Sequence, residues 1–443
     1  MHDGSPALTR RTYWILFAVL LLAAIPRALS IGWNEPYWHD NELYGNAAES
    51  LARRGDFKIG TVKVTTDDLN YSVAKAGGEY LSHNPLWPTM GGGIAFVTGM
   101  DGFDALDVLS FLFGIAVLVL LFLLARQRSG AQAGWVALAL GAMSFLLIDY
   151  SGNGSYYIFQ AFLYLLFIWC LWRGGRAAHP LTLGLLAAAA MLTVHQSIAL
   201  VPAYFIYLFL EEKTWRKRLA SAAIFLAVIV VLYLPWGLRN AYLLNDFFPP
   251  TDTNYVWAKL GMMKTVTPDG IATFTKDYGA LLTREITTWM PNNAYFINRQ
   301  LFILVPLLYV LSLFAIFEIL RDRARTHEGP RASRHLWPML VLFAGHAAVS
   351  LLWPVVKFRY FVAMVPFVIL LGVWYAYAYL KKSRAVVLGI SLFLMGALSI
   401  LTYLGNPAHT YFYGGVLTTD PFSRKWEVDF VKSYVPEYRD PNL

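Results

Sequence analysis

The feature that most constrains this chain is a recurrence of apolar runs, most of them roughly 18 to 22 residues and long enough for a helix to cross a hydrocarbon core about 30 Å thick. They fall at roughly 13–31, 105–125, 132–149, 155–172, 180–195, 197–210, 219–236, 300–320, 336–354, 360–380 and 385–404, which predicts about eleven crossings. With 57% hydrophobic and only 14% charged residues among 443, the chain reads as an all-α polytopic membrane protein. Its lone cysteine, Cys170, sits inside one such run, so an intrachain disulfide is excluded and a packed apolar side chain is expected.

The net charge of +8 invites a nucleic-acid reading, but its distribution argues otherwise. One set of loops carries Arg10, Arg11, Arg126, Arg128, Arg173, Arg176, the cluster from Lys213 to Arg218, the arginines from Arg321 to Arg334, and Lys381, Lys382 and Arg384. That is 18 of the 36 basic residues, against six acids; the other set holds 18 bases and 22 acids. By the positive-inside rule the first set is cytoplasmic, so the basic excess is a topology signal and nucleic acid is not an expected partner. Arg10-Arg11 before an apolar run also resembles a signal peptide. The run is long, Arg27 interrupts it near its outer end and no clean cleavage site follows, so it is expected to stay as the first membrane helix.

Residues 32–104, 238–299 and 405–443 are too polar to cross and fall together on the outer side. One transmembrane domain over 1–404, bearing two long outer loops, and a short outer tail over 405–443 are expected. Loops of this length in a compact protein are usually functional. From Asn41 to Arg54, Leu43, Ala47 and Leu51 share one helical face, which predicts an amphipathic surface helix. Leu86 to Gly99 is a second apolar stretch too short to span. Runs 180–195 and 197–210, joined by His195-Gln196-Ser197, read as a shallow hairpin.

Several polar residues stand at the outer edge. Asp40 and Glu42 open the first loop; as an i, i+2 pair they fit helix capping, with Asp40 ahead of the helix, as well as chemistry. Arg27 fits snorkelling to the interface or pairing with a phosphate. Arg239, just past Pro235-Trp236, is open in the same way. Lys357 and Arg359 are more telling, because two cations on the outer side run against the topology bias and point to an anionic partner there. His83 fits a plain loop histidine or a site residue. His195 and His346 fit histidines hydrogen-bonded within the bundle. No paired-histidine metal motif and no phosphate-binding glycine loop is present, so no nucleotide site is expected.

Four patches together carry a family resemblance. Arg27 followed by Trp38-His39-Asp40-Asn41-Glu42-Leu43-Tyr44 resembles an arginine and acidic motif at the end of the first helix. His83-Asn84-Pro85-Leu86-Trp87-Pro88 resembles an H-P-P-x-Y-P stretch. Leu234-Pro235-Trp236-Gly237-Leu238-Arg239-Asn240-Ala241-Tyr242, with Phe247-Phe248-Pro249, resembles a P-W-x-x-R-N-Y motif. Arg359-Tyr360 with Pro366 resembles an R-Y-x-x-P-x-x-P region. In this order they resemble GT-C-fold glycosyltransferases, the broad group holding the lipid A aminoarabinose transferases, the Rgt-type galacturonosyltransferases and the protein O-mannosyltransferases. One departure stands out: the family's adjacent Asp-Glu is Asp40-Asn41 here, with the glutamate displaced to Glu42.

The resemblance implies a GT-C-like bundle with extracytoplasmic amphipathic helices in a bacterial inner membrane, acting in the cell envelope on lipopolysaccharide or another glycan. It implies an inverting transfer of sugar from a polyprenyl-phosphate donor to a hydroxyl of a lipid, glycan or protein acceptor. Asp40 is the implied base, with Glu42 beside it. His39, Tyr44, His83, Asn240 and Tyr360 are implied substrate contacts, and Arg27, Arg239, Lys357 and Arg359 the cations facing the leaving phosphate. A divalent metal is allowed without being required. Two other classes fit the spans: a flippase or secondary transporter, which predicts internal repeats, and a polymerase or ligase using lipid diphosphates, which needs no acidic motif after the first helix.

Overall fold

A computed structural model describes residues 9–31, 39–57, 84–212, 214–244, 247, 290–325, 334–352 and 358–405. The helices in chain order are α1 (Arg10–Ser30), α2 (His39–Arg54), α3 (Leu86–Thr98), α4 (Gly102–Ser129), α5 (Ala131–Ala142), α6 (Phe145–Asp149), α7 (Tyr157–Arg173) and α8 (Pro180–Met191). A 3-10 turn (His195–Ala199) leads to α9 (Leu200–Glu211), α10 (Trp215–Leu244), α11 (Met290–Leu304) and α12 (Pro306–Arg325). Then come α13 (Trp337–Leu352), a 3-10 turn (Phe358–Phe361), α14 (Val365–Tyr379) and α15 (Arg384–Gly405). No strand occurs among the described residues. Every predicted apolar run carries a helix, and the molecule is an all-α polytopic bundle.

Among the described residues, α1, α4, α10 and α15 contain stretches long and apolar enough to cross a membrane alone, and α5, α7, α8, α13 and α14 are shorter apolar helices. Of the shorter ones, α7 and α14 form the interior. Nine successive residues of α14, Val365 to Val373, are buried, and α7 is buried on nearly every face. α1, α10 and α15 instead turn large apolar side chains outward, among them Trp14, Leu22, Val231 and Phe393. A helix apolar all round belongs in such a setting, with protein on one side and lipid on the other.

Three spans differ from expectation. Met143-Ser144 divides the run 132–149 into α5 and the single-turn α6, while Val305 and Pro306 break the run 300–320 between α11 and α12. Proline suits the first turn of α12 because its missing N–H has no intrahelical partner there. The third is the predicted hairpin. At 12 residues each, α8 and α9 are about 18 Å long, short of a full crossing. From the turn between them, α8 runs mainly along α10 and α9 along α13, so they diverge instead of pairing.

The helix ends beside four of the basic segments meet at one end of the bundle. There the Trp172 indole donates to the His335 carbonyl at 2.8 Å, Arg128 lies 4.5 Å over the Trp172 ring, and His335 faces Glu211 at 3.7 Å. These contacts join the ends of α4, α7 and α9 to the start of α13. Alternation of the helices then brings the end of α1, the start of α4, the ends of α5 and α8, the starts of α7 and α14 and the end of α10 to the opposite end. α2 and α3 lie there, against α4. The approach is close because glycine supplies it: a Cβ on Gly102 would stand 2.5 Å from the Glu49 nitrogen and the Gly45 carbonyl oxygen of α2. Glu49 also accepts the Gly102 N–H at 2.7 Å, and Asp101 accepts from Phe103 and Asp104 at 2.8 Å, so α2 helps cap α4.

Candidate active site

The acidic motif opens α2. Its helix begins at His39, which puts Asp40 in the first turn instead of ahead of it, so the predicted N-cap position is not where Asp40 stands. A carboxylate in a first turn meets the positive end of the helix dipole. The side chains of His39, Asp40 and Glu42 lie outside the described residues, as do His83 and Lys357 altogether.

From Tyr44 onward the site can be followed side chain by side chain. Tyr44 is 1% exposed and meets Tyr156 edge to face at 5.4 Å. The Tyr156 hydroxyl donates to that of Tyr157 at 2.9 Å, their rings lying 4.2 Å apart. Tyr157 in turn stands 6.1 Å from Tyr360. Over these last two rings lies the half-buried guanidinium of Arg359, 5.7 Å from Tyr157 and 5.9 Å from Tyr360. A cation over two aromatic faces is attracted by their quadrupoles. Tyr44, Arg359 and Tyr360, distant in sequence, are thus brought together through Tyr156 and Tyr157.

Sequence reading missed those two tyrosines because they open the run 155–172, just after residues 150–154, which read as a bare link between spans. The link is core. Residues 150–156 are all buried, and the Trp87 indole donates to the Gly154 carbonyl at 2.8 Å while Ser110 donates to that of Ser155 at 3.3 Å. Gly154 has a positive φ of 66°, and a Cβ there would lie 2.7 Å from Asp107 Oδ1, so a side chain is excluded twice over. Asp149, buried at the end of α6, and Asp107 on α4 are acids at this same end that the sequence reading did not single out. The available signal was a polar, glycine-rich turn, Asp149-Tyr150-Ser151-Gly152-Asn153-Gly154, set between two strongly apolar runs.

Beyond the other end of α2 is a second aromatic bed. Phe57 meets Trp236 at 5.7 Å, and the half-buried Arg239 lies 4.6 Å over Trp236 and 6.0 Å over Phe57. Its guanidinium donates to Asn240 Oδ1 at 3.4 Å. Nearby, His195 Nε2 and the Tyr233 hydroxyl are 2.7 Å apart, and Asn84 donates to the Met191 carbonyl at 2.6 Å. His195 and His346 are both hydrogen-bonded inside the bundle, as their positions suggested.

Arg27 is placed otherwise than a phosphate ligand would be. It is 0% exposed, and its guanidinium donates to the carbonyls of Ala23 at 2.8 Å, Gly141 at 3.1 Å and Ala142 at 3.5 Å. Gly141 and Ala142 end α5, where backbone carbonyls lack intrahelical donors and the dipole is negative. Arg27 therefore staples α1 to the end of α5. Among the described residues no group of three His, Cys, Asp or Glu side chains is placed to hold a metal ion.

Residues 82–236 match the family model described as dolichyl-phosphate-mannose-protein mannosyltransferase, over about a third of the chain. No curated protein matches the sequence. The chain is similar to the oligosaccharyltransferase of Archaeoglobus fulgidus in complex with zinc and sulfate, at 17% identity and a TM-score of 0.52 over 86% of this chain and 53% of that one. It is similar to the same protein tethered to an acceptor peptide containing the NVT sequon, at 15% identity and a TM-score of 0.51 over 89% and 54%. ArnT from Cupriavidus metallidurans bound to undecaprenyl phosphate aligns at 14% identity and a TM-score of 0.43, over 88% and 78%. The fold is of the GT-C type. At these identities the likeness is one of fold, and the chain spans about half the length of the archaeal oligosaccharyltransferase.

Proposed function

We propose that this protein is an inverting glycosyltransferase that moves a sugar from a polyprenyl-phosphate donor to an acceptor hydroxyl at the outer face of a bacterial plasma membrane. The observation that carries the reading is the ring-to-ring path from α2 to Arg359. It ties the helix whose first turn holds Asp40 to a cation lying over two aromatic faces, at the bundle end opposite the basic loops. The family description over residues 82–236, which names a dolichyl-phosphate-mannose donor, supports the donor class.

In this reading Asp40 takes the proton of the acceptor hydroxyl as its oxygen bonds to the anomeric carbon. The bond from that carbon to the phosphate oxygen breaks, and polyprenyl phosphate leaves with the electron pair. A positioned base contributes about 10² to 10⁴ in rate. Arg359, with Lys357 close in sequence, faces the charge that grows on the leaving phosphate, and arginine suits this because its fork matches phosphate oxygens. Arg239 with Asn240 forms a second polar group for the sugar or acceptor. No step is assigned to a metal.

The test is transfer of label from polyprenyl-phosphate mannose, and from a panel of other polyprenyl-phosphate sugars, to lipid, glycan or protein in membranes holding the chain. Transfer abolished in Asp40→Asn supports the reading. Failure of every donor, together with no saturable binding of undecaprenyl phosphate, overturns it. The face is tested separately by a cysteine at Thr253 in a Cys170→Ala background. Labelling by an impermeant maleimide in intact cells is expected, and labelling only after lysis overturns the assignment to the outer side.

A further inference from the structure

Beneath Arg359 runs a buried polar chain that the reaction does not use. His346, on α13, is 1% exposed. Its Nε2 lies 3.1 Å from the Tyr360 carbonyl and its Nδ1 lies 3.2 Å from the Tyr164 hydroxyl. A carbonyl only accepts, so Nε2 carries the proton and Nδ1 of the neutral ring accepts; the one Tyr164 O–H is shared between Nδ1 at 3.2 Å and the Gln196 carbonyl at 3.3 Å. Gln160 donates to the Tyr164 hydroxyl at 3.1 Å and to Ser197 at 3.4 Å, which anchors the chain on the turn between α8 and α9. α13 comes near that turn because Gly345 has no side chain: a Cβ there would sit 3.1 Å from that of Ala199.

The position of the His346 bond matters. In the 3-10 turn that carries Arg359, the Arg359 carbonyl accepts from Val362 at 3.3 Å and the Phe361 carbonyl from Met364 at 2.9 Å. The carbonyl between them, that of Tyr360, takes its hydrogen bond from another helix through His346. Fixing that one peptide sets where the turn sits against Tyr157, and with it where the guanidinium points. An apolar side chain of like volume would fill this space at no desolvation cost, so what the histidine adds is the pair of hydrogen bonds, one of them to the turn that carries Arg359.

We infer that His346 is a positioning residue for Arg359, locked in its Nε2-protonated form by Tyr164. The inference rests on the assignment of Arg359 to the donor phosphate. The experiment is a double-mutant cycle on the full chain in nanodiscs, with undecaprenyl phosphate as the binding probe and thermal unfolding recorded on each preparation. Arg359→Ala is expected to weaken binding more than tenfold. His346→Phe, which keeps a ring beside Tyr164 and loses both hydrogen bonds, is expected to weaken it about fivefold, the usual worth of one such bond. In the double variant the loss is expected to match that of Arg359→Ala alone, because a positioning residue has nothing left to position. His346→Gln, whose amide still donates to the Tyr360 carbonyl, is expected to stay within about twofold of the parent.

Unchanged binding in His346→Phe, or losses that multiply in the double variant, overturn the inference and leave Arg359 in place. Unchanged binding in Arg359→Ala overturns both the phosphate assignment and this inference. If His346→Phe does not assemble, Tyr164→Phe carries the test. A loss of about twofold to fivefold that disappears in the Arg359→Ala background supports the inference, and parental affinity in Tyr164→Phe overturns it.

Discussion

Arg27 and Arg359 read alike in the sequence, each an arginine at the outer edge of a membrane span with a phosphate as one candidate partner. The structure sets them apart. Arg27 is wholly enclosed and its guanidinium is spread over three carbonyls, two of them at the end of α5. Arg359 is half-buried on the faces of Tyr157 and Tyr360, in a turn that begins no long helix of its own. An arginine that closes a helix end has its guanidinium taken up by backbone carbonyls, whereas Arg359 is set against two aromatic faces. The difference lies in what surrounds each guanidinium, and the residue type does not reveal it.

The comparison breaks first on the reaction itself. If the Arg359 end is where chemistry happens, Asp40→Asn should cut transfer by at least about a hundredfold at unchanged undecaprenyl-phosphate affinity, since a general base is lost at nearly constant volume. Retention of more than about a tenth of parental turnover in the purified variant removes Asp40 from that role.

Next come the arginines. Arg359→Ala should weaken donor binding or slow turnover by more than tenfold with little change in melting temperature. Arg359→Lys should recover only part of that loss, because an ammonium lacks the two-pronged geometry. Arg27→Ala should do the reverse. Hydrogen bonds to a charged group net about 1.5 to 3 kcal/mol each, so the melting temperature should fall by several degrees while the folded fraction binds donor nearly as before. Binding assays and thermal unfolding on the same preparations decide it. A stable Arg27→Ala protein with poor donor binding would erase the contrast.

The smallest effect sharpens the path between the two halves of the site. Tyr156→Phe removes the hydroxyl that bonds Tyr157 and keeps the ring against Tyr44. A loss of about threefold to fivefold in turnover is expected, in line with one neutral hydrogen bond. Steady-state kinetics at saturating donor would show it, and a parental rate would mean that the rings alone hold Tyr157 in place.

Much of the architecture was legible beforehand because lipid imposes a simple rule on length and polarity. Each apolar run became helix, Asn41 to Arg54 proved helical within α2, and Leu86 to Gly99 became α3, closed by Gly99 at a φ of 76°. The breaks were harder to see. Met143-Ser144 and Val305-Pro306 interrupt apolar stretches whose composition scarcely changes, and α8 and α9 part company because their best packing partners lie on different helices. In the site, Tyr44, Arg239, Asn240, Arg359 and Tyr360 were picked out by motif, while Tyr156 and Tyr157 were passed over as the start of a span.

By itself, then, the sequence determined the class, the approximate spans and the separation of basic loops from acidic ones. Those depend on composition within a local window, and the membrane reads that window directly. Only the tertiary structure decided which arginine closes a helix and which lies over tyrosine rings, and that a glycine-rich link becomes the wall joining α2 to Arg359. A helix apolar on every side carries no stripe to say which face meets protein and which meets lipid. The partners of its few polar residues, such as Gly141 for Arg27 or Tyr360 for His346, are fixed by packing between segments far apart in the chain.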